Sequence, residues 1–262
     1  MRFASLGSGS EGNSLVVEST RYGVVTRVML DCGFAPKEAE RRLARLGLVP
    51  DDLDAIVVTH EHGDHVGGVF RLARRYQLPV WLTYGTAQAI GAEAEGTTTR
   101  YCHPGDMFSV ADLEILPYAV PHDAREPVQF VFSDGQVRLG VLTDAGRKTA
   151  HIVATLSGCD ALVLECNHDA ALLDGCDYPP SLKWRIKGDY GHLANHTAAE
   201  ILDALDRRRL RVIVAAHLSR QNNSADLARA ALAAVLQDAA HAIVVATQDD
   251  GLPWTFVGGP PD

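Results

Sequence analysis

Short apolar runs alternate with polar, glycine-bearing connectors along the whole chain. At the start, RFASL, SLVVE and TRVMLDCG read as strands, with GSGSEGN making the first turn. PKEAERRLARLGL follows as a helical stretch, with Pro36 near its start and Gly47 near its end. DAIVVTH is a short apolar run of the kind expected for a buried strand. Next come a helix from about His65 to Tyr76, a strand PVWLT and a short helix around Thr86 to Ala92.

The middle returns to strands, DMFSV, LEILPYAV, VQFVFS and VRLGVLTD, the last two joined by the hairpin signal Asp134-Gly135. After Asp144 the order becomes helix (TAHIVATL), strand (ALVLEC), helix (TAAEILDALDR), strand (RVIVAAH), helix (SADLARAALAAVLQDA) and strand (AIVVATQ). The fold class this predicts is α/β with helical outer layers, on a mixed sheet or on two sheets sandwiched by helices. No linker, low-complexity segment or short repeat divides the chain, so residues 1–262 are expected to form a single domain.

Composition narrows the class. Hydrophobic residues make up 47% and charged residues 22%, ordinary for a soluble globular protein. The first residues lack a signal-peptide core and no apolar run reaches spanning length. Cys32, Cys102, Cys159, Cys166 and Cys176 are odd in number and never form a C-x-x-C pair. A disulfide framework is therefore not expected, and a reducing cytoplasm fits best. The formal charge of −9 lowers the expectation of nonspecific nucleic-acid coating. A nuclease remains open, because a local basic rim or bound cations attract phosphate despite net acidity.

The chemistry is concentrated in VVTHEHGDHVGG, residues 57–68. His60 and His62 leave the end of a strand two positions apart, so both imidazoles point one way. Gly63 permits a turn, and Asp64 and His65 open the next helix facing elsewhere. Two ligands aimed each way suggest two adjacent ions, since a lone catalytic ion uses three protein ligands. More ligands are then needed at other strand ends. His122 after LEILPYAV, Asp144 at the end of VRLGVLTD and His217 at the end of RVIVAAH fit. His103, His151 and His241 have no such setting and read as surface or core histidines.

H-x-H-x-D-H followed by separate His, Asp and His resembles the ligand set of the metallo-β-lactamase fold superfamily. MRFASLGSGSEGNS, LDCGF, HDAREPVQF, LTDAG, ECNHD, GDYGHLANH and AHLSRQNN, in that order, resemble the WalJ/YycJ-type hydrolases of its ribonuclease Z-like, phosphodiesterase branch. The resemblance implies an αββα four-layer sandwich. It places His60, His62 and His122 on a first metal, Asp64, His65 and His217 on a second, and Asp144 between the two. It also implies that Asp31 orients the ligand loop, with Asn167 and His168 in supporting positions.

Two ions roughly 3.5–4 Å apart can share a hydroxide and clamp phosphoryl oxygens during displacement. A carboxylate on the second ion makes it more oxygen-loving, which favours zinc or manganese with a phosphate substrate. The expected function is a dinuclear phosphodiesterase acting on nucleic-acid ends, a DNA 5′-exonuclease, monomeric or homodimeric. Asp64 and His192 are its candidate catalytic residues, with His192 donating a proton to the leaving oxygen or contacting phosphate. Ser8, in a turn whose N–H groups could face phosphate, and Asn222 and Asn223 are candidate substrate contacts. His196 stands where an acidic residue is expected and receives no role. The arginines at 41, 42, 45, 207–209 and 211 are expected on solvated helix faces. No room is expected for the inserted domain of β-CASP nucleases, nor is the long arm of tRNA 3′-processing relatives evident. A lactonase or a glyoxalase II-like thioester hydrolase shares the same ligands. A non-catalytic metal-binding regulatory protein is the third reading.

Overall fold

A computed structural model describes residues 1–236 and 243–258. The end of the last helix expected from the sequence, and His241, lie outside the described residues. In the first half, β1 (Arg2–Gly7), β2 (Ser14–Arg21) and β3 (Val24–Leu30) form an antiparallel meander. Then follow α1 (Pro36–Arg45), β4 (Ala55–Val57), α2 (Gly63–Val66), α3 (Val69–Tyr76), β5 (Val80–Leu82), α4 (Tyr84–Ile90) and β6 (Thr99–Tyr101). The second half opens with β7 (Phe108–Val110), β8 (Leu113–Ala119), β9 (Val128–Ser133) and β10 (Arg138–Leu142). It continues through α5 (Ala150–Leu156), β11 (Ala161–Glu165), α6 (Ala170–Gly175), α7 (Pro180–Lys187) and α8 (Asn195–Ala204). The last elements are β12 (Val212–Ala216), α9 (Ala225–Leu236), β13 (Ile243–Val245) and β14 (Leu252–Phe256).

The strands pair into two seven-stranded sheets, β14-β1-β2-β3-β4-β5-β6 and β13-β12-β11-β10-β9-β8-β7. Alternation along each strand decides what each face meets. Leu15 and Val17 of β2 face Val128, Phe130 and Phe132 of β9 in a core between the sheets, while Val16 turns outward. Val16 packs with Ala39 and Leu43 of α1 and with Phe70 and Leu72 of α3. On the other side Ile213 and Ala215 of β12 meet α5, α8 and α9 through Ile152, Ile201 and Leu232. The result is an αββα sandwich in four layers.

Two departures from the sequence reading bear on the site. The helix expected from His65 to Tyr76 breaks at Gly67 and Gly68 into α2 and α3. A β-carbon on Gly68 would fall 1.8 Å from the Phe34 carbonyl oxygen, so the backbone must pass there bare. Arg45 is exposed as expected, but Arg42, expected on the same solvated face, instead ties the end of β1 to the segment before β14. Arg42 is buried, and its guanidinium donates to the carbonyls of Leu6 and Gln248 at 2.6 and 2.9 Å. The five cysteines are free, and no described helix is long and apolar enough to cross a membrane.

Candidate metal centre

Parallel strand pairing assembles the site. Leu142 of β10 pairs with Leu164 of β11, and Leu164 with Ala215 of β12, so these strands end level. Asp144, Glu165 and His217 therefore leave the sheet side by side. On the other sheet Leu30 pairs with Val57, which sets Asp31 beside the His60 loop. Asp31, Asp144 and His217 all have φ of +55°. Holding such residues in the left-handed region costs about 1–3 kcal/mol each, the kind of strain that persists where surrounding contacts demand it.

Hydrogen bonds fix the direction of each ring. Asp31 accepts from the Thr59 N–H and hydroxyl, both at 2.8 Å, and its Oδ2 lies 2.8 Å from Nδ1 of His65. That turns His65 Nε2 toward Asp144, whose Oδ2 lies 2.9 Å away. His122 donates from Nδ1 to the Gly191 carbonyl at 3.0 Å and turns its Nε2 toward His62 Nδ1 at 3.2 Å. His62 in turn donates from Nε2 to the Asp123 carbonyl. A carbonyl only accepts, so both rings keep their inward nitrogens free as ligand atoms.

The inward donor atoms of His60, His62 and His122 lie within 4.8 Å of one another, and so do those of Asp64, His65 and His217. Asp144 groups with His60 and His65 on one side and with His217 on the other. His60 Nε2 and His217 Nε2 are buried without a hydrogen-bond partner, and Asp144 Oδ2 has no well-directed one beyond its close approach to His65 Nε2. Orphaned atoms of this kind are rare in a folded protein, and here they converge. The donor set fits divalent cations.

Comparison with known proteins agrees. A family model described as "Beta-lactamase superfamily domain" matches residues 26–217. Exodeoxyribonuclease YycJ of Bacillus anthracis is 34% identical over 91% of this chain and 90% of its own. Exodeoxyribonuclease WalJ of Streptococcus pneumoniae is 32% identical over 87% of this chain and 85% of its own.

The chain belongs to the YycJ/WalJ family of the metallo-β-lactamase superfamily. It is a metal-dependent hydrolase. The fold is shared with zinc-bound PqqB of Methylobacterium extorquens, at a TM-score of 0.68 and 18% identity over 98% of this chain and 100% of that one.

Electrostatics in this family member follow from burying carboxylates among imidazoles. Burial raises the Asp144 carboxyl, but His217 and His65 overcome it and hold the pKa well below the usual range. Burial lowers His65, and Asp144 and Asp31 reverse that to leave it well above the ordinary imidazole value. The His217 imidazole, also opposed by burial, is pushed up to about 9 chiefly by Asp144. A cation held by these two imidazoles would displace their protons.

One residue central to this network was not foreseen. Glu165, fully buried at the end of β11, lies 2.9 Å from His192 Nδ1 and 3.2 Å from His217 Nδ1 through its Oε1. Its Oε2 accepts from the Ala145 N–H, which supports the Asp144 turn. Against burial, Asp144 and Glu165 push the His192 imidazole up to about 10. The available signal was a carboxylate closing the otherwise apolar ALVLE, since an ionised group buried there needs partners. Asn13 was also missed; its side-chain nitrogen lies 3.3 Å from Asp64 Oδ2 and 3.2 Å from His65 Nε2.

Other candidates have different duties from those expected. The Ser8 hydroxyl accepts from the His217 N–H at 2.8 Å, beneath the ligand. Three N–H groups of the turn around it are already used: Ser8 donates to Thr247 O, Gly9 to Asn13 Oδ1 and Glu11 to Gln248 Oε1. Asn223 ties the Cys166 carbonyl to Asn195, and Asn222 is buried, its carbonyl accepting from the Asp169 N–H. Asn167 donates to the His217 carbonyl at 3.1 Å and so supports a ligand backbone. His168 is buried and lines a pocket together with His192. His103 and His151 are exposed.

Proposed function

We propose that the chain is a dinuclear metal-dependent phosphodiesterase acting on nucleic-acid ends in the cytoplasm, specifically a DNA 5′-exonuclease, with residues 1–262 working as one hydrolase domain. The observation that carries this reading is the pair of three-residue donor groups joined through Asp144. In this assignment His60, His62 and His122 hold one ion, Asp64, His65 and His217 hold the other, and Asp144 serves both. Zinc or manganese suits the mixture of imidazole and carboxylate. When bound, two such ions activate water near neutral pH and neutralise charge on a phosphoryl group. The names of the YycJ and WalJ relatives support DNA as the substrate.

The chain's own groups supply orientation and proton transfer. The Asp64 side chain is 27% exposed, and although burial opposes it, His217 and His65 keep its pKa low. It stays ionised and is placed to accept a proton from the attacking water. His192 has Nδ1 committed to Glu165, which leaves Nε2 as the nitrogen that delivers a proton. In hydrolysis the water oxygen bonds to phosphorus, the phosphorus–oxygen bond to the leaving group breaks, and His192 protonates that oxygen.

A substrate panel tests the proposal. Metal-loaded protein is expected to turn over bis(p-nitrophenyl) phosphate and to leave lactones and acyl-glutathione intact. The opposite pattern would establish the lactonase or thioesterase reading. Turnover of none of them by fully metal-loaded protein would establish a regulatory role.

A further inference from the structure

Helix α7 contributes nothing to the core. None of its eight residues, PSLKWRIK, is buried, so it draws no stability from an apolar face. Polar ties hold it in place instead. Arg185 donates to Asp123 Oδ2 at 2.6 Å, Lys183 to the Asp174 carbonyl at 2.8 Å, and Lys187 pairs with the Asp174 carboxylate. His192 N–H donates to the Ile186 carbonyl at 2.9 Å. Trp184 is 80% exposed, an unusual setting for so large an apolar side chain. Trp81 stacks on Phe108 and Trp254 donates to the Leu46 carbonyl, whereas Trp184 has no aromatic or hydrogen-bond partner among the described residues.

Two observations say what covers this face. The first is charge. α7 carries Lys183, Arg185 and Lys187 and no acidic residue, in a chain whose net charge is −9. Pro180, Lys183, Trp184 and Lys187 share one face at helical spacing and line a groove of about 500 Å³ with Asp174 and Gly188. An aromatic plane between two cations suits a nucleobase with its flanking phosphates. The second observation is position. His62 and Asp64 are the exposed members of the ligand set, each side chain 27% exposed, so the metal centre opens on their side. Asp123 joins that opening to α7, since its carbonyl accepts from His62 and its carboxylate from Arg185. Gly191, whose carbonyl holds His122, is pressed against the end of α7, where a β-carbon would lie 2.2 Å from the Arg185 carbonyl oxygen. A strand that runs out over His62 meets α7 next.

We propose that the outward face of α7 is a stacking platform for a single-stranded stretch of the nucleic acid being cleaved, with one base on Trp184 and the adjoining phosphates on Lys183 and Lys187. The assignment rests on the phosphodiesterase reading above. A base inside a duplex is already stacked on both faces, so the platform selects an unpaired segment. It also gives a net acidic protein a local hold on a polyanion, away from the ligand carboxylates.

The test uses metal-loaded protein and a short oligothymidylate whose phosphorothioate links resist cleavage, either unlabelled or carrying fluorescein. The unlabelled probe is expected to quench the tryptophan emission of wild type, because Trp184 is the exposed one of the three tryptophans. By fluorescein anisotropy, Trp184→Ala should weaken binding about tenfold or more, the scale of one lost base–aromatic stack, and Trp184→Phe should restore most of it. Alanine favours a helix more than tryptophan does, so melting of α7 does not mimic this loss. Lys183→Ala should flatten the salt dependence of binding, and an unchanged slope would overturn the phosphate contact. With a cleavable oligonucleotide, the ratio of its kcat/KM to that of bis(p-nitrophenyl) phosphate should fall about tenfold in Trp184→Ala. The ratio is internal to each variant, so a general loss of activity leaves it in place. Binding without quenching in wild type, or undiminished affinity in Trp184→Ala, would overturn the platform and leave the phosphodiesterase reading standing. Quenching, with affinity lost in Trp184→Ala but no cleavage of nucleic acid by wild type, would support the platform while the nuclease reading fails. Neither binding nor cleavage would remove both. Capture by phosphatidylglycerol vesicles that is lost in Trp184→Ala, with no quenching by the oligonucleotide, would assign the face to a membrane and overturn the proposal.

Discussion

Asp144→Asn lowers kcat/KM on every phosphodiester by about a thousandfold, on the scale of losing a preorganised electrostatic element. The substitution is chosen because it isolates charge from backbone. Asp144 sits at φ +55°, and asparagine tolerates that region nearly as well as aspartate does. The fold should therefore persist, with a melting temperature close to wild type in metal-free buffer. What disappears is the anionic oxygen grouped with His60 and His65 on one side and with His217 on the other. Metal analysis of the purified variant should give fewer ions per chain than wild type. Full activity with full metal content would remove Asp144 from the centre of the account.

Glu165→Gln carries the second large effect, about 10- to 100-fold in activity or metal affinity, the range for partners that orient metal-ligating histidines. Two consequences distinguish it from simple destabilisation. The first is that His217 loses one of two anionic neighbours at its Nδ1, keeping Asp144 and its own position at the strand end. The second concerns pH. His192 is raised to about 10, with Asp144 and Glu165 overcoming the effect of burial. A group raised in this way is protonated below its pKa, so proton donation is lost as pH rises through it. A cation on Asp144 would compete for the same carboxylate and pull that value down. Removing the Glu165 charge lowers it further. The alkaline limb of the kcat profile should thus move to lower pH in Glu165→Gln. A limb that stays in place while overall activity falls would indicate that His192 is not the proton donor.

The sequence showed the metal cluster clearly because its members break a physical expectation. Three imidazoles and a carboxylate within six positions have no comfortable place in a core or on an ordinary surface. His122, Asp144 and His217 were visible for a related reason, as polar residues closing apolar strands. The strand pattern also conveyed the layered α/β class, although two sheets could not be told from one until the order β13 to β7 was known. What stayed hidden depended on contacts distant in sequence. Arg42 sits in a helix with three arginines, and nothing local distinguishes the one that reaches Leu6 and Gln248. Ser8 looked like a substrate contact because the partner of its hydroxyl, the His217 N–H, is 209 positions away. Helices α6 and α7 are short and bounded by turn-forming residues, which left no clear periodicity to read. Glu165 was legible in principle, as a charge at the end of a buried strand, but its partners come from β12 and the loop before α8.

The most direct measurement is the order in which label leaves a duplex carrying it at the 5′ or the 3′ end, with zinc, manganese or magnesium supplied in turn. The account predicts early release of the 5′ label as a mononucleotide, supported by zinc or manganese and abolished in Asp144→Asn. Early release of the 3′ label would contradict the polarity, and intact duplexes under all three metals would contradict the nuclease assignment itself.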